Sequence, residues 1–237
     1  MEKIQIQNEG QRMDGTLFLA ESVEVVPGVI FFHGLTSSEK RYLDMAERLS
    51  KQDISALTIN MRGHGSSEGT LDSLQLTDNI SDALAVYDFF ASHSNIDATR
   101  IGICGSSYGS LLAAIVADQR PIKSLLLRAP AAYSSTMANT TFSELLQDER
   151  GIFKNLDLDT LHGLTEIRSF SGSLFVVASE HDDIIPLSIT QAYFDNATQA
   201  ETKEFEVMIG APHSLSSTPD LAELFTQKAL RWFAEAL

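Results

Sequence analysis

Short apolar runs and longer helical patterns alternate along most of this chain. Residues 4–7 and 16–19 read as two antiparallel strands, with Asp14-Gly15 in their connection. Residues 29–32 form a compact apolar strand, and Leu43, Ala46 and Leu49 mark one face of a helix over 42–51. A strand over 54–59 precedes an amphipathic helix over 76–91, with Ile80, Leu84, Tyr87 and either Phe90 or Phe89 on one side. Further strands are expected at 100–104, 122–127, 174–178 and 205–209, with helices near 187–196 and 220–236. Strands alternating with helices imply a mostly parallel central sheet covered by helices on both faces, an α/β architecture. Ligands of such sheets bind beyond the carboxyl ends of the strands.

The strand over 100–104 runs into Gly105-Ser106-Ser107-Tyr108-Gly109, and an Ala/Leu-rich helix follows at 110–117. Gly-x-Ser-x-Gly between a strand and a helix is a nucleophile elbow. Of the serines at this turn, Ser106, Ser107 and Ser110, only Ser107 has glycine two residues before and two after it. In such a turn the serine stands on a strained backbone at the strand end, and the next helix directs its unpaired N–H groups toward the chemistry.

A serine hydroxyl needs a base, and the base needs an orienting carboxylate. With an elbow of this type the expected chain order is Ser, then Asp or Glu, then His. The strand over 174–178 is followed by Glu180-His181-Asp182-Asp183-Ile184-Ile185-Pro186, which offers adjacent aspartates as the acid. The strand ending at Ile209 is followed by Gly210-Ala211-Pro212-His213, whose histidine can return over the serine. A helix N-cap ahead of Pro186 is an alternative use for one of the two aspartates.

Five segments together resemble the α/β-hydrolase superfamily over nearly the whole chain. They are Phe32-His33-Gly34-Leu35, Arg62-Gly63-His64-Gly65-Ser66-Ser67, the elbow, the Asp-x-x-Ile-Pro run and the late Gly-Ala-Pro-His. The similarity extends to small bacterial carboxylesterases and cinnamoyl (feruloyl) esterases, and to serine aminopeptidase-like and monoacylglycerol lipase-like enzymes. The resemblance implies a single α/β-hydrolase domain over 1–237 with a short cap insertion at about 131–170. It puts the acid four residues before the proline, at Asp182, and makes Ser107, Asp182 and His213 the expected catalytic residues. The backbone N–H groups of Leu35 and Tyr108 are the implied oxyanion hole, leaving both side chains to shape a pocket. His33 and the 62–67 turn are expected to support the oxyanion loop. Most of Phe142, Leu145, Leu146, Ile152, Phe153, Leu156 and Leu158 are expected to pack the cap onto the core, and some of them, with Tyr133 and Leu35, to line an acyl or alcohol pocket.

The expected reaction is ester hydrolysis through an acyl-enzyme on Ser107. Amidase, peptidase and thioesterase chemistry on small acylated substrates remain open, as does a non-catalytic small-ligand binder on the same fold. Serine at the elbow argues against the dehalogenases and epoxide hydrolases of this fold, which carry aspartate there. Composition narrows the rest. The 237 residues carry a net charge of −15, which disfavours nucleic acid and anionic membranes as partners. A small-molecule ester is the expected partner, with neither cofactor nor metal. Cys104 is the only cysteine, so no internal disulfide forms, and its place before the elbow suggests core. No apolar stretch approaches the roughly 20 residues of a membrane span, and no basic region followed by an apolar run opens the chain. A cytoplasmic location is the expectation. The pattern selects no oligomeric state.

Overall fold

A computed structural model describes residues 1–22, 24–145 and 157–237. Eight strands form one sheet: β1 (Glu2–Asn8), β2 (Gln11–Phe18), β3 (Val26–Phe32), β4 (Ser55–Ile59), β5 (Ile96–Ser106), β6 (Ser124–Arg128), β9 (Ser173–His181) and β10 (Thr202–Pro212). Their order is β1-β2-β4-β3-β5-β6-β9-β10. The β1–β2 and β2–β4 pairs are antiparallel and every other pair is parallel. This is the α/β-hydrolase architecture that the motifs implied.

The helices α1 (Leu43–Ser50) and α6 (Pro219–Ala236) cover one face. On the other lie α2 (Leu76–Ala91), α3 (Tyr108–Gln119) and α5 (Leu187–Asn196). Strand β3 shows the consequence for sequence: Ile30 and Phe32 join one core and Val29 and Phe31 the other. A strand buried on both faces therefore reads as an unbroken apolar run. Burying each such side chain contributes about 1.5–3 kcal/mol before entropy is counted.

The first hairpin turns earlier than expected. The reversal is at Glu9-Gly10, both at positive φ (48° and 76°), while Asp14 and Gly15 lie inside β2 opposite Gln5 and Ile4. Gly15 is there for close strand approach, since a Cβ would come within 2.5 Å of the Thr58 carbonyl oxygen. Strand β10 also starts earlier and ends later than its apolar stretch. It is an edge strand, so Thr202, Lys203 and Glu204 stay exposed and carry no hydrophobic signal.

Between β6 and β9 the chain forms a two-stranded antiparallel ladder, β7 (Tyr133–Ser134) with β8 (Leu161–His162), and a one-turn helix, α4 (Phe142–Leu145). Phe142, Leu161, Leu164 and Ile167 are buried against the main core. Leu158, expected to pack there, is instead exposed. The other expected cap positions Leu146, Ile152, Phe153 and Leu156 lie outside the described residues. No helix among the described residues is long and apolar enough to cross a membrane.

Candidate active site

The carboxyl ends of β3, β5, β9 and β10 bring the expected site residues together. Strand β5 ends at Ser106 and α3 begins at Tyr108, leaving Ser107 alone between them at φ 52°, ψ −118°. The flanking glycines are demanded by contact. A Cβ on Gly109 would sit 2.1 Å from the Phe32 carbonyl oxygen, and one on Gly105 2.5 Å from that of Gly109. The turn is also fastened sideways: the Ser107 N–H donates to the Arg128 carbonyl (2.8 Å), and the Ser107 carbonyl accepts from Ala131 N–H (3.2 Å).

His213 follows directly on β10, with Nε2 3.1 Å from Ser107 Oγ and Nδ1 2.8 Å from Asp182 Oδ2. A carboxylate only accepts, so Nδ1 carries the proton and Nε2 is free to accept the serine hydroxyl. The other Asp182 oxygen accepts from the N–H groups of Ile184 (3.0 Å) and Ile185 (2.8 Å). Of the two adjacent aspartates it is Asp182 that meets the ring; Asp183 is exposed. Neither aspartate caps α5, whose N-cap position is Pro186. Glu180 is tied elsewhere, accepting from the Gly210 N–H.

The loop after β3 lies beside the serine, close enough that a Cβ on Gly34 would be 3.7 Å from that of Ser107. Two buried histidines hold this loop from behind. His33 Nδ1–H donates to the Gly34 carbonyl (2.8 Å) and Nε2 accepts from Met61 N–H (3.1 Å). Both nitrogens are thus occupied by the neutral ring. Burial, reinforced by neighbouring His64, lowers the His33 pKa to about 3. His64 contacts the carbonyls of Arg62 and Leu35 and so fixes the peptide after Leu35, while the Gly34 carbonyl held by His33 belongs to the peptide that carries the Leu35 N–H. The Tyr108 N–H belongs to the first turn of α3, where backbone donors have no partner within the helix.

A cavity of about 460 Å³ opens over Ser107. Leu35 and Tyr133 line it, with Ile184 and Ile185. Tyr108, expected to shape it, turns into the core instead: its hydroxyl donates to Asn79 Oδ1 (3.3 Å) and its ring meets the edge of Phe142. Burial pushes its phenol well above the usual range.

Arg128, at the end of β6, was not singled out by sequence. It is buried, and Nη2 donates to Ser179 Oγ (2.8 Å) and to the carbonyls of Pro212 (3.0 Å) and His213 (2.8 Å). It therefore anchors the loop that presents His213. A charged residue closing an apolar strand at the carboxyl edge was the available signal. Among the described residues no cluster of three or more His, Cys, Asp or Glu side chains is placed to hold a metal ion.

With this geometry in hand, known proteins can be compared. The family described as serine aminopeptidase, S33, matches residues 24–157. An uncharacterised protein of Mycobacterium tuberculosis is 27% identical over 206 residues, covering 87% of this chain and 69% of its own. Among solved structures, Est1E of Butyrivibrio proteoclasticus with ferulic acid bound superposes with a TM-score of 0.76 at 18% identity, covering 98% of each chain. The monoacylglycerol lipase of Paleococcus ferrophilus gives a TM-score of 0.71 at 16% identity over 100% of both chains. At such identities the two structures speak for the fold.

Proposed function

The chain belongs to the serine aminopeptidase S33 family of α/β hydrolases, and from that premise we propose that it hydrolyses carboxylic esters through an acyl-enzyme on Ser107. The observation that carries this reading is the unbroken pair of hydrogen bonds from Ser107 through His213 to Asp182. Ser107 Oγ attacks the ester carbonyl as its proton passes to His213 Nε2. Asp182 holds the ring in the required tautomer and stabilises the imidazolium. The carbonyl oxygen, now negative, is received by the N–H groups of Leu35 and Tyr108, each typically worth about 10²–10³ in rate. The protonated His213 gives its proton to the leaving alcohol. Water then enters, is deprotonated by the same nitrogen, and releases the acid and free Ser107.

The family description favours a second reading, amide cleavage on small acylated amines, through the same steps with an amine leaving. One assay series separates the two. Wild type and Ser107→Ala are compared on p-nitrophenyl acetate and butyrate and on aminoacyl p-nitroanilides. We expect ester turnover in wild type that falls at least about 10³-fold in the variant. Anilide turnover without ester turnover would replace the first reading by the second. Unchanged turnover in Ser107→Ala would overturn both.

A further inference from the structure

Two cations converge on the cavity over Ser107, and neither forms an ion pair among the described residues. Of the ten arginines, Arg150 lies outside the described residues. Of the nine described, seven pair with Asp or Glu. The two that do not, Arg41 and Arg128, are the two that line this cavity. In a chain with 32 acidic residues and 17 basic ones, two unpaired arginines at one place is the reverse of what composition favours.

Arg128 is the more telling of the two. It is only 5% exposed, and its Nη2 is spent on neutral acceptors. Nε is sealed from solvent without a partner; Nη1 is not sealed and has no partner among the described residues, and the side chain lines the cavity. Phe225 lies 5.9 Å from the guanidinium carbon, and its face adds only a weak compensation. Guanidinium does not escape such a position by losing its proton. A buried charge without an opposite charge is costly, and the cost is recovered when an anion arrives. Burial lowers the Arg128 pKa; Tyr42 and Asp182, which forms no ion pair with it, partly oppose this, and the like charge of Arg41 adds to it. Arg41 is exposed at the mouth, where it can draw an anion inward.

Resting on the hydrolase reading above, we propose that the natural ester carries a carboxylate, which docks on Arg128 Nη1 with Arg41 at the entrance. Met45, Tyr42 and Phe225 line the α1–α6 side of the cavity and would flank the chain between that carboxylate and the scissile bond. A guanidinium matches a carboxylate in geometry as well as charge, so the preference is for an anionic substrate over its uncharged isostere.

Two matched pairs test this, one for each half of the ester. On the acyl side, mono-p-nitrophenyl glutarate is compared with p-nitrophenyl valerate. On the alcohol side, 3-carboxyphenyl butyrate is compared with 3-carbamoylphenyl butyrate. We expect the charged member of at least one pair to have a kcat/KM about tenfold higher, carried mainly by KM. That ratio should shrink severalfold in Arg41→Gln and in high salt. Equal values in both pairs, or a ratio that Arg41→Gln leaves untouched, would overturn the inference while leaving the hydrolase intact. If wild type turns over none of these esters, calorimetric titration of Ser107→Ala with glutarate decides. Binding that weakens on adding Arg41→Gln would uphold the anion site and reject the hydrolase reading; no binding would reject both.

Discussion

Arg62 and Arg128 are both buried near the carboxyl edge of the sheet, one behind the loop after β3 and one behind the loop of His213, and their surroundings differ in kind. Arg62 Nη2 meets Asp82 at 2.6 Å and Glu9 at 3.1 Å. Asp82 is itself fully buried, and also accepts from Asn8 and Asn79. Asn79 in turn accepts from the Tyr108 hydroxyl, so this network reaches the residue after the elbow. Arg128 has a hydroxyl, two carbonyls and an aromatic face; among the described residues no carboxylate pairs with it, and Asp182 acts on it only beyond ion-pair distance. The first region is closed electrostatically by the chain's own residues. The second is built to hold its loop but is left with positive charge to spare. A closed network reads as architecture; an open one reads as a place where something else completes it.

Mutation can break this contrast. The largest effect is expected from Arg62→Met, which strands the Asp82 carboxylate in the core and should cost about 3–5 kcal/mol in urea unfolding. Adding Asp82→Leu should recover part of that loss, because the orphaned charge goes with it. A single Arg62→Met no worse than Arg128→Met would show the distinction to be empty.

Acid probes the closed region next. His33 binds a proton in the unfolded chain below its ordinary pKa of 6.5, but in the folded chain only near pH 3. The unfolded state therefore holds more protons between those limits, and stability falls as pH drops through that window. At pH 5 this amounts to about 2 kcal/mol relative to neutral pH. Urea midpoints at pH 7.5 and 5 should differ accordingly, and a His33→Gln variant should show a flatter profile. An equally steep profile in that variant would assign the acid loss elsewhere.

Arg128→Met should be the mildest of the three for stability, about 1–2 kcal/mol, since it abandons hydrogen bonds but leaves no buried anion behind. Its signature is kinetic: kcat should fall about tenfold through misplacement of His213, with a smaller change in KM for neutral esters. A stability loss matching Arg62→Met, or an unaltered kcat, would remove its role as anchor of that loop.

Much of this organisation was legible in the order of residues. The alternation of apolar runs and helical patterns reports a sheet covered on two faces, because burial imposes it on strands such as β3. That Ser107, Asp182 and His213 meet was legible because each follows a strand whose apolar signal is clear, and chain order restricts the choice. Positions whose structure depends on partners distant in sequence were harder. Gly15 looked like a turn because its real cause, the approach of β4, lies more than 40 residues away. Tyr108 looked available to the cavity because nothing nearby announces Asn79 or Phe142. Arg128 drew no attention, since a cation after a strand is ordinarily solvated. Only the folded arrangement shows that it lacks an ion-pair partner among the described residues.

The backbone at Ser107 carries a last implication. A φ of 52° with ψ −118° suits glycine, and other residues held in such conformations typically cost about 1–3 kcal/mol. Proteins sit only slightly above the stability they need, and replacements that relieve strain are readily found. Were the fold alone at stake, glycine at 107 would be the less strained choice, and it would remove the hydroxyl with the strain.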